Sequence, residues 1–255
     1  MISDMIWSYS RLTAFEDCKY AWYMHYILHM HKKSNFFSEY GSFMHEILQK
    51  YLNGELSQKQ LLAYYCRNFG KTVDSPAPSS KMWHKYFGAG CDYLRNIEFP
   101  KRKILATELE VNFDFAGAKF IGYIDMLSED DAGNLFITDH KSRDLKPRSG
   151  RKKPTKADRD LDDYLRQLYM YSVAVKQLYG KYPDFLEFNC FKAGVWITEP
   201  FKEERVKEVE DWAAGIISEA MKEEEWSENL DYWRCHQLCD MRDCCEFIER
   251  KKNGE

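Results

Sequence analysis

The chain has 255 residues, of which 44% are apolar and 16% aromatic, with 37 Lys and Arg against 41 Asp and Glu. This composition excludes a disordered chain, which is poor in apolar and aromatic residues, and no apolar run approaches the roughly 18 residues of a membrane span. The net charge of −4 does not by itself indicate a nucleic-acid partner.

The first hundred residues show the apolar spacing that is typical of α-helices. Ser8 and Ser10 can cap a first helical segment that continues to Ile27. Three further helices are predicted over residues 38–52, 58–69 and 81–97.

The pattern then changes to alternation, which predicts strands over residues 104–115, 119–127 and 135–141. Turn sequences between them indicate an antiparallel meander. A loop over 142–160 follows, and the remaining predicted elements are a helix over 161–179, strands over 185–191 and 195–198, and an acidic amphipathic helix over 203–226. This order predicts an α/β fold around one mixed sheet.

Two carboxylates and a lysine follow apolar strand sequences. Asp125 ends the second predicted strand, and Asp139 and Lys141 end the third. Alternation places Asp139 and Lys141 on one face, with His140 on the other. Paired carboxylates favour Mg²⁺ or Mn²⁺, and a nearby lysine can orient water or stabilise phosphate charge. The pattern fits metal-assisted phosphodiester hydrolysis, although a surface salt bridge at a strand end would give the same sequence.

Two helical motifs are less specific. His45 lies in the middle of the helix predicted over 38–52, where a histidine is more often packed or exposed than a metal ligand. Gln167 and Tyr171 are four residues apart and share one helical face, as in any amphipathic helix.

Four of the eight cysteines lie within residues 235–245. The residues at the N-terminus show no basic region followed by an apolar stretch, so we expect no secretory signal and a cytoplasmic location. Disulfides are rare there, and close spacing favours a metal or an iron–sulfur cluster, with inert reduced thiols as the alternative. The dispersed Cys66, Cys91 and Cys190 are expected in the core.

A basic segment directly follows the third strand of the meander. Residues 143–160 carry eight basic and three acidic side chains, a net charge of +5. Because Lys and Arg supply most phosphate contacts, we expect this segment to bind nucleic acid, with a flexible solvated loop as the alternative. The candidate DNA-binding residues are Arg143, Lys146, Arg148, Arg151, Lys152 and Lys153.

These motifs together resemble the RecB-like branch of the PD-(D/E)XK nucleases, whose motif order they follow from Ser8 to Cys245. The matching segments are Ser8-Tyr-Ser-Arg-Leu, Phe15-Glu-Asp-Cys18, Gly41 with His45-Glu46, Gly122-x-x-Asp125, Asp139-His-Lys141 and Gln167-x-x-x-Tyr171. The resemblance implies a restriction-endonuclease-like core with a central mixed β-sheet flanked by helices. It also implies one nuclease domain over 1–255, comprising a helical part (1–100), a catalytic α/β core (101–200) and a final helix with a cluster-binding tail (201–255).

The resemblance also implies roles for the site residues. Three side chains and one backbone carbonyl would hold Mg²⁺ or Mn²⁺: His45, Asp125, Asp139 and the carbonyl of His140. Lys141 would be the catalytic lysine, and Gln167 and Tyr171 would line the site and help to place the DNA strand. Either Glu108 or Glu110, on the first core strand, would support the site.

The cysteines resemble those of RecB-like nucleases that carry an iron–sulfur cluster, including the CRISPR-associated RecB-like exonucleases and the AddB nuclease domain. The implied ligands of a [4Fe–4S] cluster are Cys18, Cys235, Cys239 and Cys245. The family pattern C-x2-C-x5-C is altered here, since three residues separate Cys235 from Cys239, and Cys244 is an alternative last ligand. A structural Zn²⁺ is the alternative cofactor.

The sequence therefore predicts a metal-dependent DNA nuclease, an exonuclease on single-stranded DNA or DNA ends. It would act in phage or bacterial recombination, repair or CRISPR spacer acquisition, in a bacterial, archaeal or phage-infected cell. A helicase or a recombination or CRISPR protein would be its partner, and no membrane is expected. The alternative is a non-catalytic DNA-binding or assembly protein that retains the nuclease fold.

Overall fold

The computed structural model describes residues 2–229 and 231–247. A short 3-10 helix (Ile2–Asp4) begins the fold, which consists of seven α-helices packed around one sheet in the described residues. The α-helices are α1 (Tyr9–Asp17), α2 (Lys19–Tyr26), α3 (Phe36–Leu52), α4 (Gln58–Thr72), α5 (Ser80–Arg95), α6 (Lys156–Tyr179) and α7 (Glu204–Lys222). The strands are β1 (Lys103–Phe115), β2 (Ala118–Glu129), β3 (Leu135–His140), β4 (Phe185–Cys190) and β5 (Val195–Pro200). A π-helical turn follows at Arg234–Leu238.

The five strands form one mixed sheet in chain order. Neighbouring strands are antiparallel except β3 and β4, which are parallel. A parallel pair needs a long crossover, and α6 provides it. This arrangement, a mixed sheet flanked by helices, confirms the predicted α/β class and the antiparallel meander of β1 to β3.

Two large apolar clusters hold the fold together. The first packs α1, α6 and α7 against the sheet, and α6 contributes a buried stripe that includes Leu161, Leu165 and Leu168. The second fills the space among α3, α4 and α5 and includes Phe191, which follows β4. Side chains three and four residues apart share a helical face, which is why each helix buries one stripe.

The first predicted helical segment is wrong as one continuous helix, because Cys18 interrupts it. Cys18 has an extended backbone conformation with φ of −166° and ψ of 107°, and it ends α1 and begins α2. Its sulfur accepts a hydrogen bond from the backbone N–H of Ala21 at 3.4 Å, as a helix-capping side chain does.

The basic segment also differs from its prediction, because its last part is helical. Helix α6 begins at Lys156 rather than at residue 161. Thr155 and Asp158 form a reciprocal capping box there, and such a cap fixes a helix start. Residues 156–160 therefore belong to α6, and the loop ends at residue 155.

The dispersed cysteines differ in burial. Cys190 is buried as predicted, whereas Cys66 is exposed and Cys91 is half-buried. Cys66 lies on α4 and Cys91 on α5, with their sulfur atoms 3.9 Å apart. The core prediction is therefore wrong for Cys66, whose helical position faces solvent.

Residues 248–255, the end of the cluster-binding tail predicted over 201–255, lie outside the described residues. None of the helices between residues 2 and 247 that the structure describes is long and apolar enough to cross a membrane.

Candidate active site

The carboxyl end of β3 and the neighbouring interior of β2 bring two carboxylates and a lysine together. The prediction that Asp125 ends the second strand is wrong, because β2 continues to Glu129. Asp125 and Asp139 are 8% and 4% exposed. The backbone N–H of His140 donates a 2.6 Å hydrogen bond to Asp125 Oδ2, which ties the end of β3 to β2. Lys141 Nζ lies 2.8 Å from Asp139 Oδ2. The two side chains thus meet, as alternation along the strand predicts.

Helix α3 places His45 against the end of β3 and the neighbouring part of β2. His45 Nε2 donates a 2.8 Å hydrogen bond to the carbonyl oxygen of His140. Its Nδ1 lies 3.5 Å from Asp125 Oδ2 and 3.9 Å from Glu108 Oε1. A histidine that binds a metal through one ring nitrogen commonly donates the other N–H to a backbone carbonyl. The carbonyl proposed as a ligand, that of His140, therefore contacts the histidine side chain.

Glu108 rather than Glu110 joins this group. Ligand atoms of His45, Glu108 and Asp125 lie within 4.8 Å of one another, the one such trio that the described residues form. Glu110 instead accepts a 2.9 Å hydrogen bond from the Tyr123 hydroxyl at the surface. The trio contains Glu108 in addition to two of the predicted ligands, and Asp139 is not part of it.

The two glutamates of β1 look alike in sequence because alternation places both on one face of the strand. The strand pairing distinguishes them: Glu110 pairs with Tyr123, whereas the pairs Thr107–Met126 and Leu109–Ile124 place Glu108 opposite Asp125. Glu108 has a φ of +47°, a left-handed conformation that is costly for a residue with a side chain. Strained residues of this kind cluster at functional sites.

A chain of polar contacts links Lys141 to α6. Lys141 Nζ donates a 2.8 Å hydrogen bond to Gln167 Oε1, and Gln167 Nε2 donates one of 3.3 Å to the Tyr171 hydroxyl. The Tyr171 ring packs against the backbone of Gly122, where a Cβ atom would lie 2.3 Å from Tyr171 Cε1. The glycine three residues before Asp125 is thus needed for this close approach.

The group has the electrostatics of a cation site. Burial and the charge of Asp139 raise the pKa of Asp125. Burial alone would lower the pKa of His45, but the carboxylates of Glu108, Asp125 and Asp139 outweigh it and raise that pKa to about 9. Asp139 Oδ2 is buried and, apart from the ion pair with Lys141, accepts no hydrogen bond of normal geometry. Crowded carboxylates with an unsatisfied oxygen and an imidazole fit a divalent cation.

The site opens into a cleft of about 1800 Å³. Of the predicted DNA-binding residues, Arg143 and Lys146 line this cleft. Arg148 does not, because its guanidinium pairs with Asp162 at 2.7 Å and Glu199 at 2.5 Å. Residues 151–153 are exposed outside the cleft. The structure therefore brings together only part of the predicted basic surface.

The cysteines at the two ends of the chain meet. Cys18 Sγ accepts a hydrogen bond from the Asn229 N–H at 3.4 Å, and Cys235 Sγ donates one to the Asn229 carbonyl at 3.0 Å. Burial, with a contribution from the nearby sulfurs of Cys18 and Cys245, raises the pKa of the Cys239 thiol to about 12. All four predicted cluster ligands thus lie in one region of the fold.

Cys244, the alternative last ligand, packs against the same cluster of Met24, Met241 and Cys245 as Cys235 and Cys239 do. Its sulfur donates a 3.3 Å hydrogen bond to the Met241 carbonyl, and burial raises the pKa of its thiol. Cys245 is buried, whereas Cys244 is half-buried. The deeper burial of Cys245 and its proximity to Cys239 favour Cys245 as the last ligand.

Comparisons with known proteins agree with this geometry. The family model described as PD-(D/E)XK nuclease superfamily matches residues 6–246. The crystal structure of a "Putative exonuclease" from Eubacterium rectale is similar, with a TM-score of 0.55, 15% identity, and coverage of 94% of this chain and 88% of that chain. At that identity the likeness shows the fold alone. The crystal structure of SSO0001 matches at 16% identity over 75% of this chain and 81% of that chain, with a TM-score of 0.32. None of the curated proteins matches this chain.

Proposed function

The chain belongs to the PD-(D/E)XK nuclease superfamily, and from that premise we propose that it is a metal-dependent exonuclease that degrades single-stranded DNA or DNA from its ends. The observation that carries the proposal is the buried carboxylate group formed by Asp125 of β2 and Asp139 at the end of β3, with the Lys141 ammonium 2.8 Å from Asp139. A scaffold protein without activity would have no need to keep these charged groups buried together.

Each residue of the site has a proposed role. His45, Glu108 and Asp125 would hold a divalent cation, with Asp139 and the His140 carbonyl beside them. Bound Mg²⁺ or Mn²⁺ supplies a Lewis acid that activates water and neutralises phosphate charge. The Lys141 side chain would lie next to the reacting phosphate and stabilise its charge, and Gln167 holds the Lys141 amino group in place.

We further propose that the chain is one nuclease domain of the RecB-like branch and that it carries a [4Fe–4S] cluster. The meeting of Cys18 with Cys235, Cys239 and Cys245 supports four-thiolate ligation. Anaerobic purification, a visible spectrum and metal analysis test it. A brown protein with about four irons per chain is expected, and a colourless protein loaded with zinc would contradict it.

End-labelled DNA tests the nuclease proposal directly. Linear and circular substrates, each single- and double-stranded, are incubated with Mg²⁺ or Mn²⁺. We expect degradation of linear single strands and sparing of circles. Cleavage of circles would establish an endonuclease, and no cleavage of any substrate by the metal-loaded protein would overturn the enzymatic assignment. Activity on linear single strands would suit DNA recombination, repair or CRISPR spacer acquisition, with a helicase as the partner that unwinds duplexes.

A further inference from the structure

Three aromatic side chains line the active-site cleft at a distance from the carboxylates. Phe37 on α3, Tyr86 on α5 and Trp233 in the tail form what we term the aromatic wall. The centroid of the Phe37 ring lies 5.3 Å from that of Tyr86 and 6.3 Å from that of Trp233. One continuous aromatic surface thus faces the same space as the catalytic group.

Trp233 is the outer member of the aromatic wall and is 45% exposed. A single exposed apolar side chain needs no explanation, but this indole both contacts Phe37 and faces the cleft. The segment that follows Trp233 is held in place by contacts with the first helices. Arg234 pairs with Asp17, and Asn35 Nδ2 donates a 3.0 Å hydrogen bond to the Leu238 carbonyl. The indole is thus presented by an anchored segment.

Basic groups accompany the aromatic wall. Lys192 Nζ lies 4.8 Å from the centroid of the Tyr86 ring and 3.2 Å from Asp144 Oδ2. Arg234 also lines the cleft. Proteins that bind single-stranded nucleic acid combine cations along the backbone with aromatic side chains on which bases stack. The aromatic part of that combination occurs at this end of the cleft. Since Lys192 and Arg234 are already ion-paired, Arg143 and Lys146 in the same cleft would supply the cations.

We propose that the aromatic wall stacks an unpaired base of the substrate strand and thereby selects single-stranded over paired DNA. The inference rests on the proposed nuclease function and deepens it. A base within a duplex already has both faces covered by its neighbours, so only an unstacked base can stack on the aromatic wall.

The helix geometry separates the aromatic wall from the metal group. Phe37 and His45 are eight residues apart on α3, which corresponds to about 12 Å along the helix axis. The wall therefore grips the strand without contacting the reacting phosphate.

Binding measurements on a cleavage-deficient K141A background test the proposal. The affinities of K141A and of the double variant K141A/W233A are measured for a single-stranded oligonucleotide and for a series in which each position in turn lacks its base. Loss of a base–aromatic stack should weaken binding of the intact oligonucleotide by about 5- to 150-fold. The same substitution should have almost no effect when the missing base is the one that stacks, and Trp233→Phe should retain most of the affinity.

The neighbouring aromatic residue provides a matched control. Tyr232 is 70% exposed and its ring contacts His236 rather than the cleft, so Tyr232→Ala should bind like the parent. Unchanged affinity in Trp233→Ala, or an equal loss on every abasic oligonucleotide, would overturn the stacking proposal. The nuclease proposal fails separately, through absence of cleavage by the unsubstituted protein.

Discussion

The Lys141 ammonium and the Gln167 amide are joined by a 2.8 Å hydrogen bond, which connects the end of β3 to the middle of α6. Lys141 is therefore held from two sides, by Asp139 on its own strand and by Gln167 on the helix. Because an ammonium is mobile on a long stem, this double contact fixes where its charge lies.

Replacement of Lys141 should remove activity without unfolding the protein. Lys141→Ala should lower kcat by about 100- to 1000-fold, the usual loss of a group that stabilises developing charge. Initial rates on single-stranded DNA and a thermal melt measure the two effects. Lys181, an exposed lysine paired with Asp184, gives the control Lys181→Ala, which should leave the rate unchanged. Full activity in Lys141→Ala would refute the role.

The metal group predicts different behaviour for the two glutamates of β1. Glu108→Gln removes a charge from the trio with His45 and Asp125, and it should weaken Mn²⁺ binding by at least about tenfold in calorimetric titrations. Glu110→Gln, its surface counterpart, should bind Mn²⁺ like the unsubstituted protein. Equal Mn²⁺ affinities in the two variants would show that Glu108 does not contribute to the metal site.

Gly122→Ala should destabilise the protein and lower its activity. The added Cβ would lie 2.3 Å from Tyr171 Cε1, so the ring or the strand must shift, at a cost of about 1–3 kcal/mol. The shift would also disturb Gln167 and hence Lys141. Chemical denaturation and kcat measure both effects.

A second glycine provides the comparison for Gly122. A Cβ at Gly88, within α5, would meet no atom within 4 Å. Because alanine is the better helix former, Gly88→Ala should keep or slightly raise stability. Equal effects of the two substitutions would show that the contact with Tyr171 is not what requires glycine.

Asp158 should make stability depend on pH in acid. Hydrogen bonds from Ser149 and Thr155 lower the pKa of this carboxyl far below its unfolded value of about 3.9. The unfolded state therefore binds the proton more readily, so the contribution of Asp158 is present above about pH 4 and is lost as the pH falls through the lower folded pKa.

Asp158→Asn tests this linkage. The variant should be less stable than the parent at neutral pH, and the difference should shrink as the pH falls below about 4. Asp160→Asn, two residues further along α6, is the control and should follow the parent at every pH. A constant difference between Asp158→Asn and the parent would contradict the linkage.

Substitutions of the two adjacent tail cysteines, Cys244 and Cys245, should have different effects on the iron content of the protein. Cys245→Ser should lose the cluster when purified without oxygen, as should Cys18→Ser, whereas Cys244→Ser should keep it. Iron per chain and the visible absorption give the result. Loss of iron in Cys244→Ser with retention in Cys245→Ser would reverse the ligand assignment.

The helices, strands and strand-end motifs could be predicted because their signals are local. Alternation in β3 places Asp139 beside Lys141, and a spacing of four in α6 places Gln167 beside Tyr171. The antiparallel meander follows from short turns between alternating segments. Each of these relationships involves residues that are close in sequence.

Features that depend on distant contacts could not be predicted in this way. The role of Glu108 depends on the register of β1 against β2, which places it opposite Asp125, and the commitment of Arg148 to Asp162 and Glu199 depends on how α6 and β5 pack. Composition gives the basic charge of residues 143–160, but it does not say which cations an ion pair already occupies.

The anchoring of the tail on the first helices sets an order of events during synthesis. The N–H of Tyr20 bonds to the Ser227 carbonyl, and the Lys33 N–H bonds to the Asp240 carbonyl, so partners more than 200 residues apart must meet. Such non-local contacts form late in folding, and a chain emerging from the ribosome cannot make them until its distal partner has left the exit tunnel. The cleft wall that carries Trp233 is therefore completed only after the strands that carry Asp125 and Asp139 have formed.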